Sequence, residues 1–275
     1  MLYIVATPIG NLGEITYRAV EVLKSVDAVL CEDTRRTRIL FSHYGINTKL
    51  ISYQKYSERA KVDYVLELLR EGNNLALVSD AGMPLISDPG ELLVQTLQKE
   101  GMEYTVVSGA CAVISALVLS GLDTSSFLMV GFLPQKKSDK IKVIEKYKDV
   151  EATLVFYVPP HDAKDLLKFL SEELGNRNAS LVREISKVYE EVVRGRIAEF
   201  PDFNEKGEMV LVVEGAKSKP NELCALSIVE HVDKYRENGM DKKSAQKMVA
   251  SDRGISKSEV YLQYERAKKD GKENE

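Results

Sequence analysis

Short apolar runs alternate with amphipathic stretches through roughly the first 120 residues of this chain. Leu2 to Ala6, Ala28 to Cys31, Leu50 to Ser52, Leu75 to Val78 and Tyr104 to Val107 are brief and mostly apolar, and turn or polar residues follow them, the pattern of strands. Between them Ile15, Ala19, Val22, Leu23 and Val26 recur at helical spacing, as do Val62, Val65, Leu66 and Leu69 within 58–71. A further helix is expected over 91–100. Strand and helix in repetition predict an open parallel sheet with helices on both faces. Leu75 to Val78 contains no polar position, so it reads as a strand buried on both faces that feeds a loop stiffened by Gly82, Pro84, Pro89 and Gly90. Ligands of such sheets sit beyond the carboxyl ends of the strands, which makes this loop the first candidate for a site. The run 110–119 is nearly all apolar, too short to span a bilayer, and predicts a buried helix closed by Gly121. A first domain over residues 1–121 is expected to end there.

The pattern then changes. Phe127 to Val130, Thr153 to Val158, Ala179 to Ile185, Tyr189 to Arg194 and Glu208 to Val213 read as strands, with helices over 138–148 and 162–174. Three of these strands follow one another directly, which predicts a mixed rather than a parallel sheet in a second domain, residues 122–215. From 216 the composition turns to Lys, Glu and Ser with apolar positions at helical spacing, interrupted near Asn238-Gly239 and at Gly254. Residues 216–275 are expected to form an appendage of two or three helices. The fold class is thus α/β, two α/β domains with a small helical tail.

Composition adds exclusions. With 275 residues, 44% hydrophobic and 29% charged, the chain is ordinary globular material. A net charge of -4, with a mildly acidic body and a mildly basic tail, confines any nucleic-acid contact to local patches. Cys31, Cys111 and Cys224 lie far apart and pair with none of the three histidines at ligand spacing, which argues against a disulfide framework and against a metal site. The amino-terminal apolar run is too short for a span and lacks a basic leader, so a cytoplasmic protein is expected. One patch stands out: the second strand ends in Glu32-Asp33-Thr34-Arg35-Arg36-Thr37-Arg38, two carboxylates and three arginines at a strand's carboxyl end.

Seven segments in order carry a resemblance. TPIGNL at 7–12, CEDTRRTR at 31–38, SDAGMPLISDPG at 79–90, GFLP at 131–134, FYVPPH at 156–161, REISK at 183–187 and GEMVLVVEG at 207–215 closely resemble the small-subunit (16S) ribosomal RNA cytidine 2'-O-methyltransferases of the tetrapyrrole methylase superfamily. The tail resembles the helix-turn-helix-like appendage of such proteins. The resemblance implies S-adenosylmethionine held between two α/β domains, a homodimer, and small-subunit ribosomal RNA as partner. It implies cofactor contacts from Pro8, Asp80, Ala81, Gly82, Ile86, Ser87, Ser108, Tyr157 and Val158. Departures from the family pattern fall at Met83 and Leu85, at Ser108 to Cys111 and at Val158 to Asp162; Leu85 adopts positive φ less freely than glycine.

Methyl transfer to a ribose hydroxyl chiefly needs alignment, with a group to accept the proton. Asp33 and Glu184 are the catalytic candidates, with Lys187 behind them. For Asp33 the competing account is a salt bridge or helix cap with Arg36 or Thr37; for Glu184 it is an ion pair with Arg183 or Lys187. Arg35, Arg36 and Arg38 are candidate RNA-binding residues, as bidentate phosphate donors or else solvated surface arginines. Two other readings stay open: a methyltransferase of the same superfamily acting on a tetrapyrrole or a modified histidine of the diphthine type, and a non-catalytic module with a degenerate cleft.

Overall fold

The computed structural model describes residues 1–54, 56, 58–217 and 222–270. Met1–Ala216 form one compact unit that contains two five-stranded sheets, and the chain from Lys217 onward forms a second.

The first sheet is assembled from β1 (Leu2–Val5), β2 (Ala28–Cys31), β3 (Lys49–Ser52), β4 (Leu75–Val78) and β5 (Tyr104–Val107) in the order β3-β2-β4-β1-β5, all parallel. Every residue of β4 is buried, as its all-apolar sequence predicts, because helices cover both faces. On one side α3 (Glu58–Arg70) and α4 (Glu91–Lys99) bury Val65, Leu66, Leu93 and Leu97 against Leu2, Leu30 and Leu77. On the other, α1 (Tyr17–Ser25) and α2 (Thr34–Tyr44) bury Ala19, Leu23 and Phe41 against Val5, Val29 and Val78.

Helix α2 escapes the periodicity argument. Arg35, Arg36 and Arg38 crowd its first turns and leave only Leu40 and Phe41 as buried apolar positions, too few to declare a period. Its ends carry the signal instead. The Asp33 carboxylate accepts from Arg35 N at 2.8 Å as N-cap, and Gly45 closes the helix in the left-handed region at φ 60°.

The second sheet runs β6-β7-β10-β8-β9, from β6 (Phe127–Phe132), β7 (Thr153–Val158), β8 (Asn178–Arg183), β9 (Glu191–Arg196) and β10 (Met209–Val213). Only β6 and β7 pair in parallel, so the sheet is mixed, as the run of consecutive strands predicts. One face packs on α6 (Lys137–Glu145) and α7 (Ala163–Leu174), where Leu166, Leu167, Leu170 and Leu174 each contribute about 1.5–3 kcal/mol by leaving water. The other face receives α5 (Ala112–Ser120) and Ile9 from the amino-terminal half, joining the halves through apolar contact. The expectation of a buried α5 holds for Val113, Ala116 and Leu117 but not for Ile114 and Val118, which are 46% and 69% exposed. A uniformly apolar helix has no sequence-encoded face, so its exposed side is set by what it packs against.

In the second unit, α8 (Ile228–Glu237), α9 (Lys242–Arg253) and α10 (Lys257–Asp270) enclose Val232, Ala245, Val249, Val260 and Tyr264. Ser227 and Glu230 form a reciprocal capping box at α8, and Gly254, left-handed at φ 61°, makes the turn from α9 to α10.

The loop after β4 ends at Gly90, whose φ is 122° and where a Cβ would lie 2.7 Å from Leu77 Cδ2 and 3.1 Å from Leu85 Cδ1. Gly90→Ala is therefore expected to destabilise the protein by about 1–3 kcal/mol. Urea unfolding reads this as a lower midpoint; an unmoved midpoint would mean the loop is not held as described.

Candidate active site

Strands β1 and β4 are neighbours, so the loops leaving their carboxyl ends lie side by side. Thr7 N donates to Gly82 O at 2.9 Å and Gly82 N to Thr7 O at 3.1 Å, a two-way backbone pair between TPIGNL and SDAGMPLISDPG. Thr7 Oγ1 donates to Ser79 O, and Ser79 Oγ to Gly82 O, both buried. Asp80 then reaches sideways to the CEDTRRTR segment: its Oδ1 accepts from Asp33 N at 3.2 Å and its Oδ2 lies 3.5 Å from Arg36 Nη1. Three sequence motifs are thereby fixed to one another around a single aspartate.

Beyond these loops lies a cavity of about 390 Å³, within the roughly 300–1,000 Å³ usual for small-molecule sites. Ile9, Ala112, Ile185, Met209 and Val210 supply much of its apolar lining. Ala81, Ile86, Ser87 and Asp88 line it from the amino-terminal half, and Tyr157, Val158 and Glu208 from the second sheet. Phe132 and Tyr157 also border it, with ring centroids 5.0 Å apart. Burial, with Cys111 and Asp88 nearby, pushes the Tyr157 phenol up to about 12, so it stays neutral.

The non-glycine residues with positive φ among those described are Leu85, Ser87, His161, Glu184 and Ser186. All lie in three loops that supply walls of this cavity. Each such conformation costs about 1–3 kcal/mol and persists only where the surroundings enforce it, a concentration typical of binding sites.

A third cluster ties the halves together. Glu184 Oε1 accepts from Lys187 Nζ at 2.9 Å and from Glu208 N at 2.8 Å, while Lys187 Nζ also meets Glu208 Oε2 at 2.8 Å. The Lys187 stem crosses Gly10 so closely that a Cβ there would lie 2.5 Å from Lys187 Cγ. Burial works upward on the Glu184 carboxyl, but the Lys187 ammonium and the Glu208 N–H outweigh it and hold the group below its ordinary range. Burial likewise works downward on Lys187, and its two carboxylates raise it, so it remains an ammonium.

Of the residues expected to hold a cofactor, Ala81, Ile86, Ser87, Tyr157 and Val158 line the cavity. Pro8 and Asp80 instead border a smaller neighbouring hollow with Arg36, and Gly82 is occupied in the backbone pair. Ser108 is exposed at the end of β5 and borders neither. Met83 and Leu85 do not occupy the cleft, where their departure from the family pattern would have placed them: both turn into the core beneath the first sheet. Cys111 packs with α5 and the second sheet. Ile9, Phe132, Ile185, Glu208 and Met209 also line the cavity, each within one of the seven motif segments, while Ala112 lies outside them and carries no sequence signal. Arg35 and Arg36 are exposed on α2 and paired to Asp33 and Asp80, and Arg38 is exposed beside them. Among the described residues no group of His, Cys, Asp and Glu is arranged to hold a metal ion.

The family model for tetrapyrrole (corrin/porphyrin) methylases matches residues 1–201. The chain belongs to this family. It is 45% identical over 271 residues to ribosomal RNA small subunit methyltransferase I of Halalkalibacterium halodurans, covering 96% of this chain and 94% of that one. It is 41% identical over 273 residues to the protein of the same name from Bacillus subtilis, covering 96% and 94%. Among solved structures, diphthine synthase superposes with a TM-score of 0.61 at 15% identity, over 78% of this chain and 89% of its own, a likeness of fold. The cavity suits S-adenosylmethionine, the donor of this methylase family: an apolar lining and the Phe132–Tyr157 aromatic pair for a purine, with polar groups at Ser87 and Asp88 on its wall.

Because the Glu184 carboxyl is depressed in the folded chain, its contribution to stability is complete above the ordinary carboxylate value of about 4.3 and is lost as pH falls through the folded value. Denaturant unfolding from pH 7 to 3 is expected to show the wild type losing stability more steeply than Glu184→Gln. Parallel curves would disprove the coupling.

Proposed function

We propose that this chain is an S-adenosylmethionine-dependent methyltransferase that modifies the ribose 2'-hydroxyl of a cytidine in small-subunit ribosomal RNA, in the cytoplasm. The observation that carries the reading is coverage. The family model ends at residue 201 and the diphthine synthase fold accounts for 78% of the chain, whereas the relatives named for ribosomal RNA match 96%, into the helical tail. The part of the chain that a tetrapyrrole or diphthine enzyme leaves unmatched is thus shared with the ribosomal RNA enzymes.

Residues 1–121 and 122–215 serve as the two lobes and the tail as an appendage. The bound cofactor supplies a methyl group already activated on a sulfonium, so the protein's task is alignment, which is worth roughly 7–11 kcal/mol when reactants are well placed. Ala81, Ile86 and Ser87 hold the donor from one lobe, Tyr157 and Val158 from the other; Pro8, Asp80, Gly82 and Ser108 shape the loops beside it. Asp80 keeps α2 at the cleft, and Arg35, Arg36 and Arg38 stand exposed on that helix, where they take RNA phosphates by bidentate hydrogen bonds. Asp33 and Glu184 flank the cleft as carboxylates whose first duty is to hold these loops.

The protein acts as a homodimer. Supporting this, β5 and β6 are edge strands that expose Val106, Phe127 and Leu128, and α5 exposes Ile114 and Val118, apolar surface that a monomer leaves in water.

Labelled methyl from S-adenosylmethionine is expected to enter purified small subunits at one cytidine ribose. The Arg35→Ala, Arg36→Ala variant should raise KM for subunits about tenfold or more while binding the donor as before. Uptake by a porphyrin precursor and none by subunits, or no donor binding in calorimetry, would refute the reading. Sedimentation should give twice the 30.8 kDa chain mass, and Val118→Asp should shift it toward the monomer; a monomeric wild type at micromolar concentration would rule the dimer out.

A further inference from the structure

Beside the apolar cavity lies a second, polar one of about 440 Å³, walled by Glu32, Asp33, Arg35, Ser52, Gln54 and Asp80 at and beyond the carboxyl ends of β2, β3 and β4. Consecutive residues wall the two spaces, Asp80 the polar one and Ala81 the apolar one. A donor on one side of this loop and an acceptor on the other would meet at its edge.

Three carboxylates border the polar cavity, and two are committed. Asp33 accepts from Arg35 N at 2.8 Å and from the Arg35 guanidinium at 3.3 Å. Asp80 accepts from Asp33 N and pairs with Arg36. For either to take up a proton would weaken the contacts that hold α2 at the cleft. Glu184, the other base candidate, is equally bound to Lys187 and Glu208 N. Glu32 differs. Its carbonyl oxygen accepts from Gln54 Nε2 at 3.4 Å, but its half-buried carboxylate has no hydrogen bond or ion pair among the described residues. Among the described residues nothing occupies its oxygens, and a nucleoside brings hydroxyl and amino donors for that carboxylate together with acceptors that suit Arg35 and Ser52.

We propose that the polar cavity is the acceptor-nucleoside site and that the Glu32 carboxylate takes the proton of the ribose 2'-hydroxyl, an assignment that rests on the function proposed above. The hydroxyl oxygen forms the new bond to the methyl carbon, the carbon–sulfur bond breaks with its electron pair returning to sulfur, and the hydroxyl proton passes to a Glu32 oxygen and then to water. Asp33 and Asp80 are positioning residues in this scheme. They keep the cavity open and α2 in place.

Glu32→Gln preserves shape and hydrogen-bonding reach but cannot take up a proton. On purified small subunits its kcat is expected to fall about 10²–10⁴-fold. KM for subunits and the calorimetric affinity for S-adenosylmethionine should stay within about twofold, and Glu32→Asp should recover part of the rate. A Glu32→Gln chain that turns over at the wild-type rate beside an active wild type overturns the assignment alone. A rate loss matched by an equal loss of donor affinity also overturns it, since Glu32 would then be structural. A wild type that binds the donor and leaves subunits unmethylated overturns the function and this assignment together.

Discussion

Two backbone hydrogen bonds between Thr7 and Gly82 are what the rest of the site depends on. They exist because β1 and β4 are parallel neighbours and deliver their loops to the same edge of the sheet. Just before Gly82, Asp80 accepts from Asp33 N at the start of α2 and Ala81 lines the apolar cavity. A polar side chain and an apolar one, adjacent in sequence, thereby divide the space into two chemically different compartments.

The second constraint is the apolar seam between the halves. Ile9 and α5 pack on the face of the second sheet that α6 and α7 leave open, so that face is partly core and partly binding surface. Lys187 reinforces the seam by lying across Gly10 while its ammonium holds Glu184 and Glu208. Glu184 and Ser186 beside it hold positive φ, with Glu184 N donating to Glu208 O and Ser186 N to the Glu190 carboxylate, both at 2.8 Å.

Strain also explains how the departures in the loop after β4 are accommodated. Leu85 does adopt a positive φ, 73°, at a cost a glycine would avoid, but its side chain goes into the core with Leu77 and Leu93 and recovers hydrophobic burial there. The cleft is left open. A substitution that looks damaging in a linear motif is thus absorbed by a direction the motif does not record.

Much of the fold is legible in the sequence. The brief apolar runs, the all-apolar β4 and the consecutive late strands fixed both sheets' character, since period and burial are properties of short stretches. Ala81, Ile86, Ser87, Tyr157 and Val158, singled out by motif order, all line one cavity. What sequence left open was every question of direction or partnership: that α2 is a helix at all, that α5 turns Ile114 and Val118 outward, that Met83 and Leu85 point inward, that among the described residues Asp33 and Glu184 are engaged while the Glu32 carboxylate is not. These follow from contacts between residues distant in the chain, such as Asp33 with Asp80 and Gly10 with Lys187, and no local pattern encodes which of several carboxylates such contacts will engage.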